Sequence, residues 1–156
     1  MNQQAALHPD IARVLIAEED IRARIRDLGR QISRDYAGKP LILVAILKGS
    51  VVFLADLMRA LDVQCSVDFI CLSSYAGKES TGVVRLLLDL RENAEGQDIL
   101  LVEDIIDTGL TLSYLAQNLK TRNPRSLEIC AFLDKPECRK VQVRAKYVGF
   151  QIPNEF

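Results

Sequence analysis

The residues predict an α/β fold with a mainly parallel sheet flanked by helices, on three observations. Residues 41–47 (Leu-Ile-Leu-Val-Ala-Ile-Leu) and 99–102 (Ile-Leu-Leu-Val) are apolar throughout, as strands covered on both faces require. Stretches with apolar residues at helical spacing alternate with such runs. The run 99–102 also leads straight into acids and a small hydroxylated turn, Glu103-Asp104-Ile105-Ile106-Asp107-Thr108-Gly109-Leu110-Thr111. In open parallel sheets, binding loops sit at the carboxyl ends of strands in this way.

Each element can be justified in chain order. After a loose N-terminus, Ile21, Ile25, Leu28 and Ile32 share one helical face, and Glu18, Glu19 and Asp20 suit the positive end of that helix. Gly38-Lys39-Pro40 ends it. Residues 41–47 form a buried strand, and a helix over about residues 50–61 follows. Residues 67–72 form another strand, and the polar, glycine-bearing stretch 73–82 is a long loop. Strands over 83–90 and 99–102 flank the acidic turn 91–98. Thr108-Gly109 turns tightly, after which Leu112, Leu115 and Leu119 mark a helix beginning near Thr111. A strand over 127–133 and a short extended segment around 147–152 complete the pattern. With no internal repeat, low-complexity stretch or linker, residues 1–156 read as a single domain. A chain of that size buries about 70% of its unfolded surface.

Composition narrows the class. Hydrophobic residues make up 49% and charged residues 26%, ordinary values for a soluble globular protein. No apolar run approaches the roughly 20 residues that span a bilayer, and the N-terminus lacks the basic-then-apolar pattern of a secretion signal. A cytoplasmic location and no membrane partner are therefore expected. Cys65, Cys71, Cys130 and Cys138 contain no C-x-x-C pair and are expected to pack as small apolar residues rather than serve metal or redox chemistry. His8 is the sole histidine, which argues against a histidine triad or a zinc site. The net charge of −1 gives no overall drive toward nucleic acid. Residues 120–146, however, hold eight Lys/Arg against three acids, open to reading as a solvated face, an anionic small-molecule pocket or an RNA surface.

The acidic turn carries the chemistry. The helix after Gly109 would point its free backbone N–H groups at the loop, which favours a phosphate. Acids beside an anion site need an explanation. A ligand bearing both phosphate and sugar hydroxyls supplies one, since carboxylates accept hydrogen bonds from hydroxyls and attract the accompanying Mg²⁺.

Glu103-Asp104-Ile105-Ile106-Asp107-Thr108-Gly109-Leu110-Thr111 resembles the phosphoribosyl-pyrophosphate motif of the type I phosphoribosyltransferases, and more narrowly their hypoxanthine-guanine branch. The resemblance runs from about residue 10 to the last residue. It implies the type I phosphoribosyltransferase fold, a mainly parallel twisted sheet flanked by helices. The implied activity is Mg²⁺-dependent purine salvage, in which a 5-phosphoribosyl group moves from phosphoribosyl pyrophosphate to a 6-oxopurine, giving IMP or GMP.

Site residues follow from matched positions. Thr108, Gly109, Leu110 and Thr111 would hold the ribose phosphate; many relatives have Lys where this chain has Leu110, so backbone amides and the threonine hydroxyls would do more of the binding. Glu103 and Asp104 match the pair that holds the ribose hydroxyls and helps place Mg²⁺. Asp107 is expected as the general base for the purine's imidazole nitrogen, its pKa raised by the two nearby acids; a helix cap is an equally compatible role. Lys48 and Gly49, in Leu47-Lys48-Gly49-Ser50, match the loop that grips pyrophosphate, often with a cis peptide before the lysine. Ser74 and Tyr75 lie in a segment resembling the family's lid, with Gly77 and Gly82 as hinges. Lys135 matches the lysine that donates to the exocyclic oxygen of a 6-oxopurine, Arg139 matches a supporting basic position, and Phe156 matches the aromatic stacked on the purine. On the fold so read, Lys48, Ser74, Glu103 and Lys135 all fall at carboxyl ends of strands.

Relatives continue past the position of Phe156 with a further strand, a Gly-Tyr-x-Leu-Asp-Tyr segment and a later arginine. Two expectations follow: the natural protein has residues beyond this sequence, or it is shortened and catalytically weakened. The break inside a motif favours the first. The same fold also serves xanthine-preferring transferases and an RNA-binding regulator, and an inactive truncated paralogue is a further alternative. Retention of Glu103, Asp104 and Asp107 speaks against the last. The resemblance also implies a homo-oligomer, dimer or tetramer.

Overall fold

The computed structural model describes residues 10–74 and 84–154, and of Ser74 the backbone. In chain order the elements are α1 (Glu18–Asp35), β1 (Leu41–Leu47), α2 (Val51–Ala60), β2 (Cys65–Ser74), β3 (Val84–Leu88), β4 (Asp98–Ile106), α3 (Leu110–Lys120), β5 (Ser126–Asp134), a 3₁₀ turn (Pro136–Cys138) and β6 (Tyr147–Gln151). The six strands form one sheet in the order β3-β2-β1-β4-β5-β6, every pair parallel except β2 with β3. This is the expected α/β architecture.

Two cores explain the apolar runs. Alternate residues of the central strands, Leu41, Leu43 and Ala45 of β1 with Leu100 and Val102 of β4, pack under α1 and α2 against Leu28, Ile32, Phe53 and Leu57. The intervening residues Ile42, Val44 and Ile46 with Ile99 and Leu101 face α3 through Leu112, Leu115 and Leu119. A strand buried on both sides has no position for a polar residue, so period-2 alternation vanishes from its sequence. Helix α1 covers one face because Ile25, Leu28 and Ile32 recur at its helical period, and its first turn carries Glu18, Glu19 and Asp20. It is tied to the far edge of the sheet by Arg24, which donates to Val148 O at 2.6 Å and Gly149 O at 2.9 Å. Tyr147 Oη donates to Asp35 at 2.6 Å, and that bond holds the Asp35 carboxyl below the usual range.

The structure differs from the expected boundaries in a few places. β4 does not stop at residue 102 but runs to Ile106, because β5 continues to pair with it at Glu103, Ile105 and Ile106. β2 spans Cys65–Ser74 rather than 67–72, since Cys65 pairs with Leu41 and Ser74 with Val84. A 3₁₀ turn, Pro136–Cys138, follows β5 in addition to the expected elements. All four cysteines are free, and burial pushes the Cys130 thiol up to about 12, as suits a packing role. Among the described residues no helix is long and apolar enough to cross a membrane.

The turn between β3 and β4 hangs on one carboxylate. Asp68 is buried, and its side chain accepts from the backbone N–H of Phe69 at 2.8 Å, Arg91 at 2.8 Å and Glu92 at 3.0 Å. Asp68→Ala is expected to lower stability by about 1–3 kcal/mol through the orphaned amides, read as a lower urea midpoint at unchanged slope.

Candidate active site

Three strand ends converge. At the first, the Leu47–Lys48 peptide is cis, and the chain turns through Lys48 and Gly49 into α2. The buried Ser50 hydroxyl donates to Ile46 O at 2.5 Å, while Val51 N–H reaches Lys48 O at 3.3 Å. Gly49 lies directly against the second strand end: a Cβ there would stand 1.9 Å from Oδ2 of Asp104. No side chain fits, so this glycine is a condition of the approach.

The acids at that second end belong to β4 itself. Asp104 N–H donates to Glu103 Oε1 at 3.1 Å, and Ile105 N–H to Asp104 Oδ1 at 2.9 Å. Burial, and then a hydrogen bond and repulsion from the Asp104 carboxyl, push Glu103 up to about 9.

Beyond Ile106 the chain leaves the sheet through Asp107 and Thr108 to Gly109, which caps α3 with φ +80°. That left-handed backbone favours glycine, and a Cβ would also come within 3.2 Å of Val143. Gly109 occupies the N-cap position, so the helix-cap role considered for Asp107 does not apply. The Thr108 hydroxyl accepts from Leu110 N–H at 3.4 Å, and no side chain caps the helix.

The third end is β5. Its next residue, Lys135, is buried with 4% of its side chain exposed, yet its Nζ lies 3.8 Å from Oδ1 of Asp107, which is 55% exposed. Lys135 N–H donates to Ile106 O at 3.0 Å, Lys140 N–H to Thr108 O at 2.9 Å, and the Arg139 guanidinium to Ile106 O and Asp107 O.

The structure thus brings Lys48, Gly49, Glu103, Asp104, Asp107, Thr108, Gly109, Leu110, Thr111, Lys135 and Arg139 to one end of the sheet. Glu103 sits within β4 rather than beyond its end, a consequence of the longer strand. Leu110 opens α3 with its side chain largely exposed. Ser74 is the last residue of β2; Tyr75, Gly77, Gly82 and Phe156 lie outside the described residues. Sequence reasoning missed two features. Arg139 directs its guanidinium at loop carbonyls and, through Nη2, at Asp134. The Cys138 thiol, pushed up by desolvation and then by a hydrogen bond to Asp107, sits beside the candidate base. Pro136, a favoured first residue of a helical turn, was the available signal that the segment folds back after Lys135.

A family model described as "Phosphoribosyl transferase domain" matches residues 16–156. The hypoxanthine-guanine phosphoribosyltransferase of Staphylococcus aureus is 48% identical over 151 residues, 96% of this chain and 84% of that protein. The chain belongs to the hypoxanthine-guanine phosphoribosyltransferase family. The Mycobacterium tuberculosis member is 48% identical over 162 residues, covering 99% of this chain and 80% of its own length. A crystal structure of the Staphylococcus aureus hypoxanthine phosphoribosyltransferase superposes with a TM-score of 0.92 at 46% identity, covering 99% of this chain and 85% of that one. Family membership and the type I fold therefore agree with the resemblance carried by residues 103–111.

The raised pKa of Glu103 has a measurable sign. Its ordinary value is 4.5 and its folded value about 9, so between those limits the unfolded chain gives up a proton that the folded chain keeps. Stability attributable to Glu103 therefore falls as pH rises through that window. In metal-free buffer Glu103→Gln is expected to raise Tm at pH 8 and to flatten the decline of Tm between pH 5 and about 9. A steeper decline in the variant would contradict the assignment.

Proposed function

We propose that the protein transfers the 5-phosphoribosyl group of phosphoribosyl pyrophosphate to hypoxanthine, guanine or both, yielding IMP or GMP and pyrophosphate. The observation that carries this reading is the pairing of Lys135 with Asp107 at 3.8 Å beside the Glu103–Asp104 pair. A 6-oxopurine presents O6 and the N7 side of its imidazole ring on one edge. An ammonium and a carboxylate side by side complement that edge: Lys135 donates to O6, and Asp107 accepts the imidazole proton.

The transfer breaks the bond between the anomeric carbon and pyrophosphate, leaving positive charge on the sugar. No covalent nucleophile is needed; the protein holds the parts in line and stabilises the charges. Glu103 and Asp104 accept from the ribose hydroxyls and favour the sugar cation. The amides of 108–111, with the Thr108 and Thr111 hydroxyls, bind the 5-phosphate at the α3 N-terminus. Lys48 and Gly49 hold the departing pyrophosphate.

Glu103 and Asp104 also suit Mg²⁺, which takes one or two carboxylates together with substrate oxygens. Asp104 lies against the Gly49 backbone where pyrophosphate would sit, and a cation there would offset the burial and the Asp104 repulsion that raise the Glu103 pKa. Bound there, Mg²⁺ would neutralise pyrophosphate charge. We further infer a cytoplasmic enzyme, consistent with its free cysteines, that assembles as a dimer or tetramer.

An RNA role is less well supported. Within the basic stretch Arg122, Arg125, Lys135, Arg139 and Lys146 are engaged by Asp89, Asp98, Asp107, Asp134 and Asp35.

A spectrophotometric assay with phosphoribosyl pyrophosphate and Mg²⁺, offering hypoxanthine, guanine, xanthine and adenine in parallel, tests the proposal. Turnover of hypoxanthine or guanine with little of adenine is expected; preference for xanthine would move the reading to the related transferase, and silence with all four would overturn it. Asp107→Asn is expected to lower kcat by about 10²–10⁴-fold while the KM for phosphoribosyl pyrophosphate changes little. Equal losses in binding and turnover would remove Asp107 as the base.

A further inference from the structure

Arg139 is more than a basic residue near the site. Its Nη1 donates to Ile106 O at 3.0 Å and to Asp107 O at 2.5 Å, and its Nη2 donates to the Asp134 carboxylate. Its Cδ lies 3.5 Å from where a Cβ of Gly109 would stand, so the side chain also packs close to the loop. Two backbone amides extend the seam, Lys135 N–H on Ile106 O and Lys140 N–H on Thr108 O. Three successive carbonyls, of Ile106, Asp107 and Thr108, are therefore held by the one segment 135–140.

The consequence concerns the two groups that face the purine. Asp107 is carried on the loop after β4, and Lys135 on the segment after β5. Each loop alone could shift by an ångström, enough to spoil a donor–acceptor edge. We propose that Arg139 is a positioning residue that locks these two segments into one body, fixing the Asp107 carboxylate relative to the Lys135 ammonium. A planar guanidinium can span two carbonyls and a carboxylate at once; a lysine ammonium has neither the fork nor the reach. Arg139 acts through the protein backbone, and its charge is met by Asp134. The inference rests on the proposed roles of Asp107 and Lys135, but its mechanical part can be tested without them.

The experiment uses full-length Arg139→Lys and Arg139→Ala proteins. Hydrogen exchange of the peptide spanning residues 103–112 is followed without ligand, and kcat and KM are measured for both substrates. Faster exchange in 107–110 is expected in both variants, with kcat lowered about 10–100-fold and the KM for phosphoribosyl pyrophosphate changed far less. Added guanidinium ion at millimolar concentration should restore part of the kcat of Arg139→Ala. Unchanged exchange in Arg139→Lys overturns the proposal, as does a raised KM at unaltered kcat, which would mark Arg139 as a ligand contact. Should Arg139→Ala not fold, Arg139→Lys decides alone. A wild-type protein inactive on every purine would overturn the proposed function, while the exchange data would still decide whether Arg139 locks the loop.

Discussion

The contact between Gly49 and Asp104 constrains the rest of the site. β1 and β4 run parallel in a register that pairs Leu41 with Asp98 and Ala45 with Val102. Two steps further along, Leu47 comes level with Asp104, so the chain leaving β1 must turn directly over that carboxylate. With a Cβ position 1.9 Å from Oδ2, any other residue at 49 would push the loop or the acid away. The close packing of a loop suited to anions against a pair of acids is thus set by strand register and the lack of one side chain. It also sets the electrostatics: Glu103 and Asp104 share a half-buried corner, where burial and then the neighbouring Asp104 carboxyl raise the pKa of Glu103.

Much of this was legible in the sequence, for reasons that differ by element. β1 could be read directly, because a central parallel strand must be apolar at every position. α1 could be read from one apolar stripe and three acids at its start. The end of β4 is not legible in the same way, because charge in a sequence reads as exit from the sheet. At the carboxyl end of a parallel strand the ladder can continue while the covering helices fall away, so Glu103 pairs with Ala131 although its side chain is an acid's. The motif 103–111 was legible because its chemistry is contiguous in the chain. The contacts of Arg139 were not, since they run to carbonyls more than thirty residues away, and no side chain reports where a carbonyl points.

The basic stretch shows the same limit from another side. Eight Lys/Arg between 120 and 146 describe a window of sequence, whereas a surface potential depends on what each cation meets. Arg125 meets the buried Asp98, whose carboxyl is held below its usual range first by that bond; Lys146 lies 3.4 Å from Asp35 and 5.3 Å from the centre of the Tyr147 ring. These acids come from β4 and α1, both distant in sequence. Much of the window's charge is therefore met by acids rather than left as an open basic face.

Selectivity in the proposed reaction then follows from burial rather than charge alone. An exposed lysine facing an amino purine could keep its water and lose little. Lys135 has 4% of its side chain exposed, so closure of a purine over it would take away most of the remaining solvent. A carbonyl at the 6-position replaces that water with an acceptor; an amino group leaves donor against donor, and an unmet donor in a dry site costs about 1–3 kcal/mol, more when charged. Asp107, 3.8 Å away and half open to solvent, cannot turn to serve the amino group without giving up the imidazole proton it is placed to accept. The same two side chains would therefore both promote transfer to a 6-oxopurine and reject adenine, provided that the segments carrying them stay in register.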